Sequence, residues 1–159
     1  MNPSLVGSEM CIRDSPYGGW VATSPLEVIA LNRKQGLHTL ALLDLDPTGE
    51  GTGGQRPMQP LDAGQAIIRM AIKLSESLDH FPRNTSFEDL KFEANSDICN
   101  DVSSLMVVLC SDMGTDSQSI SYLSVGELEK AKTGRLHCLV IPAETSDVEA
   151  NALSRWSKK

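Results

Sequence analysis

Residues 24–45 read SPLEVIALNRKQGLHTLALLDL, and the order of signals within that stretch decides the fold class. Ser24 offers a helix cap, Pro25 stands at the first helical position, and Glu27 follows the cap by three residues. That combination predicts a helix start. The helix should end at Gly36, which can take the left-handed conformation that closes helices. Residues 39–45 (TLALLDL) then form a short continuous apolar run with acids at its C-terminal end, the pattern of a buried strand.

The same alternation continues down the chain. Residues 47–60 are rich in Gly and Pro and predict a polar loop. Between 61 and 78, Ala63, Ile67, Met70, Ala71, Leu74 and Leu78 recur at helical spacing and make one apolar stripe. Residues 79–101 mix charge, Asn and Pro, with Phe81, Phe87, Leu90 and Phe92 as the only anchors. They predict a long variable loop with one short helical turn near Phe87. Residues 104–109 (SLMVVL) and 136–141 (LHCLVI) read as buried strands, and Ile120 and Tyr122 alternate with serines as a further short one. Ser124 with Glu127 opens a helix to about Lys132. Ser146 with Glu149 opens another, with the stripe Val148, Ala152, Leu153 and Trp156.

Strand and helix in alternation predict an α/β architecture, a mixed and mostly parallel sheet with helices packed on it. Ligands of open α/β sheets bind beyond the C-terminal ends of strands. The positions to watch are therefore residues 43–46, 110–114 and the neighbourhood of Ile141.

Residues 1–15 (MNPSLVGSEMCIRDS) have no periodicity and lack the apolar run of a secretory signal. They are similar to translated adapter sequence, are expected to lie outside the fold as a non-native or disordered leader, and leave 16–159 as the α/β lobe. The native chain is expected to begin near Pro16 and to continue upstream.

At 159 residues the chain is long enough to bury a real core as one domain. Its net charge of -7, with basic residues scattered, argues against a nucleic-acid surface. No apolar run approaches the roughly 20 residues of a membrane-spanning helix. The four cysteines show no CxxC pair and no zinc-type spacing. Cys110 and Cys138 stand among apolar neighbours, as free thiols do, which favours a reducing, cytoplasmic compartment.

Among local motifs, Asp44-Leu45-Asp46-Pro47-Thr48 matches the DxDxT pattern of haloacid-dehalogenase-type phosphatases. There the first Asp attacks phosphorus and the second handles the leaving-group proton, with magnesium between them. Ser111 and Lys132 could serve as its downstream partners, but no acidic pair follows a later strand. The bland reading is that Asp44 and Asp46 are solvated strand-end residues. His38 and His137 each stand at the entrance of a buried strand, where a hydrogen-bonded edge role is the commoner one. His38, His80 and His137 have no metal-ligand spacing. No GxSxG elbow is present, and Gly49 to Gly54 lacks the Lys of a P-loop.

The ordered series formed by Trp20, Ser24, Val28-Ile29, Asn32, Gly36-Leu37-His38-Thr39-Leu40 and Leu43-Asp44 resembles the diphthine synthase family. Pro57-Met58 to Ala66, Leu105 to Leu109, Leu136 to Pro142 and Val148-Glu149-Ala150 are similar to that family's later segments, in the same order. The likeness spans residues 20–156. It implies the C-terminal lobe of a two-lobed, tetrapyrrole-methylase-like methyltransferase that takes S-adenosyl-L-methionine. The protein substrate implied is elongation factor 2, methylated at its modified histidine in diphthamide biosynthesis, by a cytoplasmic homodimer. The resemblance places Leu43, Met113 and His137 on the cofactor cleft and names no catalytic residue or metal ligand. The family's turn before Met113 reads L-A-R-A-G, whereas this chain has Leu-Cys-Ser-Asp-Met-Gly, one residue longer and without the Arg. The family's glycine-rich loop and G-D-P segment belong upstream of Trp20 and have no counterpart here. The lobe alone is thus expected to bind the cofactor weakly or not at all.

Overall fold

The computed structural model describes residues 6–12, 21–43 and 57–157. Among these residues five strands form one sheet: β1 Val6–Ile12, β2 His38–Leu43, β3 Met106–Ser111, β4 Ser119–Ser124 and β5 His137–Ile141. Their order across the sheet is β1-β2-β5-β3-β4. Helices α1 Ser24–Lys34, α2 Pro60–Leu78 and α3 Ser86–Asn100 precede the β3–β4 hairpin, and α4 Asp147–Ser154 follows the last strand. Two 3₁₀ turns, Val102–Ser104 and Val125–Lys130, complete the described elements.

The α/β class holds, but the expected parallel sheet does not. Among the described strands only β1 and β2 run parallel; β2–β5, β3–β5 and β3–β4 are antiparallel. The sequence alternation was that of parallel βαβ units, yet β4 and β5 are separated by a 3₁₀ turn too short to carry a crossover helix. Strand β1 is a second departure. Residues 1–15 are expected outside the fold, whereas Val6–Ile12 pairs along β2 with Ile12 fully buried. Without β1, β2 would be an edge strand with one row of backbone donors and acceptors open, and an extended segment alongside it satisfies them.

Burial alternates along the strands and divides the sheet into two unlike faces. Thr39, Ala41, Leu43, Val107, Leu109, Leu139 and Ile141 are buried in one cluster, or beside it, with Leu26, Ile29, Ile67, Leu74 and Ile98 of the helices. The polar Thr39 is accommodated there because its hydroxyl accepts a 3.0 Å hydrogen bond from Asn32 of α1. The opposite face carries Leu40, Leu42, Cys110, Cys138 and Val140, all only half-buried.

Helix α2 follows the expected stripe, with Ala63, Ile67, Met70, Ala71 and Leu74 buried. Gly64 lets it approach the second 3₁₀ turn closely: a Cβ there would stand 3.1 Å from the Val125 carbonyl oxygen. Helix α1 begins one residue earlier than its sequence signal, with Thr23 at the cap, so Ser24 does not form the expected box. The boxes at Ser124 and Ser146 form, although the first opens a 3₁₀ turn rather than an α-helix.

The largest miss is α3, fifteen residues long where a variable loop was expected. Its start is fixed by a capping box: Thr85 Oγ1 accepts from the Glu88 N–H at 3.1 Å, and Glu88 accepts from the Thr85 N–H at 3.0 Å. The residues it buries are Ala94, Asn95 and Ile98, small or polar for the most part, while Phe87 is exposed. Lys34 of α1 reaches Glu93 and Asp97 of α3 at 3.5 and 3.0 Å, joining the two helices at the surface. The stripe expected to bury α4 does the reverse. No residue of α4 is buried, and Val148 is 78% exposed. None of the helices among the described residues is long and apolar enough to cross a membrane.

Candidate functional site

Antiparallel pairing decides which strand ends meet. Strands β2 and β3 both run against β5, so the C-terminal residues Leu43 and Ser111 share one end of the sheet with His137, the first residue of β5. Leu42 pairs with Cys138, which sets Leu43 beside His137, and Ser111 pairs directly with His137. Leu43 and His137 thus occupy the same end and the same face. The neighbourhood of Ile141, also expected near the site, lies at the opposite end because β5 is reversed. Asp44 and Asp46 of the phosphatase-like motif lie outside the described residues.

His137 is 4% exposed and is held from several directions. Its Nδ1 lies 2.8 Å from Ser111 Oγ. The segment leading into it is clamped by Asp112, whose Oδ1 accepts from the Arg135 N–H at 2.8 Å and the Leu136 N–H at 2.9 Å. Asp112 adopts a left-handed φ of 51°, a conformation Asp tolerates better than most residues. Gly134 is bound reciprocally by the Gln59 side chain, at 3.1 Å in each direction. A side chain at Gly134 would collide with this packing, since a Cβ would fall 2.7 Å from Asp112 Oδ2 and 3.0 Å from His137 Cε1.

One atom of this arrangement is left over. His137 Nε2 is buried and has no hydrogen-bond partner among the described residues. The Gly134 backbone stands near enough to favour a charged ring, without completing a bond to Nε2. A buried polar atom left unpaired costs about 1–3 kcal/mol, which a bound polar group would recover. The other such atom among the described residues is Asn95 Nδ2, in α3. Met113 follows Asp112 in the turn after β3 and is 48% exposed, an apolar side chain open to solvent.

His38, by contrast, is fully engaged: Nδ1 accepts from the Ala143 N–H at 2.9 Å, and Nε2 meets Glu149 Oε1 at 3.2 Å. It is the hydrogen-bonded edge residue the sequence suggested. No group of three or more His, Cys, Asp or Glu side chains suited to a metal occurs among the described residues. A cavity of about 500 Å³ lies at the other end of the sheet, lined by Arg33, Asp97, Met106, Tyr122 and Pro142 among others. It shares no residue with the Leu43–His137 end.

Burial holds the His137 pKa below its usual value, against the opposing pull of the Asp112 carboxylate. The folded chain therefore binds fewer protons than the unfolded chain just below pH about 6.5, and stability falls as pH drops through that range. Asp112 and Glu149, both held low by hydrogen bonds to backbone N–H groups, add further losses only at more acidic pH. Urea unfolding at pH 7.5 and 5.5 should show lower stability at 5.5. His137→Gln should flatten that difference even if it lowers stability at both values. An unchanged difference in the variant would assign the pH dependence to other groups.

Ser111 and Asp112 fall within the 110–114 stretch that the strand-end rule picked out, whereas Gln59 and Gly134 carried no signal in the sequence. Gln59 reaches Gly134 across 75 residues, and no local pattern announces such a contact.

No family model matches the chain. It is 24% identical over 143 residues to a diphthine synthase of Methanocorpusculum labreanum, a match covering 89% of this chain and 44% of that protein. The chain is similar to diphthine synthase over most of its length. A diphthine synthase crystal structure matches 95% of the chain with a TM-score of 0.63 at 20% identity. A candidate diphthine synthase from Entamoeba histolytica matches 96% with a TM-score of 0.65 at 21% identity. A conserved hypothetical protein of Aeropyrum pernix K1 matches 95% with a TM-score of 0.68 at 23% identity. The chain spans about half the length of these relatives, from 44% to 51% of each. Its mixed α/β fold is thus one that diphthine synthases contain, and the match is consistent with their C-terminal half.

Proposed function

We propose that this chain forms the C-terminal wall of the cofactor cleft of an S-adenosylmethionine-dependent methyltransferase acting in diphthamide biosynthesis. The substrate would be the modified histidine of elongation factor 2, in a cytoplasmic protein that works as a homodimer. The sequence likeness supports the methyltransferase reading. The observation that carries the site is His137 Nε2, buried at the sheet end beside Leu43 and without a hydrogen-bond partner among the described residues.

These residues fit an adenosyl ligand in kind. Met113 offers exposed apolar surface, Leu43 backs the strand end from within the core, and His137 offers one polar atom without a partner among the described residues. Ser111 fixes the ring through Nδ1, and Asp112 with Gln59 holds the segment that covers it. The chemistry supplied by the bound cofactor is a methyl group on a sulfonium, whose leaving group needs neither a proton nor a metal. A wall that binds and orients, without an acid–base pair, is therefore sufficient for its share of the reaction. The second wall would come from the part of the relatives that this chain does not match.

The test joins this chain to that unmatched N-terminal part of the Methanocorpusculum labreanum protein and follows labelled methyl transfer to diphthamide-pathway elongation factor 2. A folded fusion should transfer label and should bind cofactor about tenfold more weakly after His137→Ala, the loss of one good hydrogen bond. A folded fusion that transfers no label, or is indifferent to both Leu43→Asp and His137→Ala, would overturn the proposal.

A further inference from the structure

On the sheet face away from helices α1 to α3, two cysteines stand directly opposite one another. Cys110 of β3 pairs with Cys138 of β5, between the pairs Leu109–Leu139 and Ser111–His137. Both are free thiols and both are half-exposed. Across the sheet the row reads Leu42, Cys138, Cys110, Ile120, so apolar neighbours flank the pair on either side. Facing residues of an antiparallel pair have Cα atoms about 4.5–5.5 Å apart, inside the window of about 4.4–6.8 Å that a disulfide accepts.

We propose that Cys110 and Cys138 form a thiol–disulfide exchange site, which a small-molecule disulfide of the glutathione class closes reversibly into a cross-strand bridge. The Cys138 thiolate attacks one sulfur of the small disulfide, whose S–S bond breaks and whose other half leaves as a thiolate that takes up a proton. Cys110 then gives up its proton and attacks the Cys138 sulfur, expelling the second small thiol. The two protein thiols are oxidised to one disulfide, and one small disulfide is reduced to two thiols.

The local chemistry favours this pair over Cys99 of α3. The contact between the two facing thiols lowers one, Cys138, and raises the other, Cys110, relative to an ordinary thiol. The pair thus loses its first proton readily and holds its second, which suits one attacking thiolate with a resolving partner beside it. Cys99 donates to the Ala71 carbonyl and is pushed up by burial, so it carries little thiolate. The bridge would fall one residue pair from the Ser111–His137 contact, on the opposite face of the same two strands.

The test exposes the folded chain to oxidised glutathione, quenches with acid, alkylates and maps the peptides by mass. Alkylatable cysteines should fall from four to two, Cys11 and Cys99, with Cys110 and Cys138 joined. Excess reduced glutathione should restore all four. Cys110→Ser should stop at a single glutathionyl group on Cys138, and Cys99→Ser should bridge as the parent does. The proposal fails if both thiols remain alkylatable in the folded chain, or if the bridge that forms includes Cys99 or Cys11.

Discussion

Leu139→Ala should destabilise the chain by about 2–5 kcal/mol, the range for truncating a fully buried leucine. Leu139 lies on β5, with β2 on one side and β3 on the other, and is 0% exposed. It faces Ala41 across one ladder and Leu109 across the other. Ala41 is too small to fill the space that would open, and strand backbones locked by pairing on both sides leave little room to collapse. Urea unfolding should show a large drop in midpoint with an unchanged slope, the mark of lost stability rather than altered compactness. Ile72→Ala, on a residue 56% exposed in α2, should change stability by no more than about 0.5 kcal/mol. A loss below about 1 kcal/mol at Leu139 would mean the sheet is not the centre of the core.

How much of this was written in the sequence differs between elements, for physical reasons. The buried strands and α2 were plain, because continuous apolar runs and a helical stripe are strong signals. The antiparallel pairing was not, since strand direction depends on which strands become neighbours. The 3₁₀ turn at Val125–Lys130 mimics a helix start without supplying a crossover. Helix α3 was lost because its buried side is Ala94, Asn95 and Ile98, with too little apolar weight to show a period. Its capping box at Thr85 and Glu88 was there to be read. The exposed face of α4 shows the opposite error, an apolar stripe taken as a promise of burial.

The candidate site was legible in outline only. A rule about strand ends picked out Leu43 and the Met113 turn, and a family likeness added His137. That the first and last of these stand together follows from β5 being reversed, which the sequence did not reveal. The clamp around His137 depends on contacts spanning 23 to 75 residues, made by Asp112 and Gln59. Such contacts exist only once the sheet has assembled.

Binding free energy sets what the sheet end can do alone. A complete cleft of micromolar affinity corresponds to about −8 kcal/mol, so a wall contributing half of that would bind near millimolar. The rotational and translational cost of association falls on half a site as heavily as on a whole one, so millimolar is the upper limit of tightness. The deciding measurement is a nuclear magnetic resonance titration of the chain with S-adenosylhomocysteine. Fast-exchange shifts should grow through the millimolar range at Leu43, Met113 and the His137 ring, with Ile72 and Phe87 silent, and shifts at Leu43 should be smaller after His137→Ala. Shifts centred on Arg33 and Tyr122 at the far end of the sheet, or micromolar saturation untouched by His137→Ala, would contradict the proposed site.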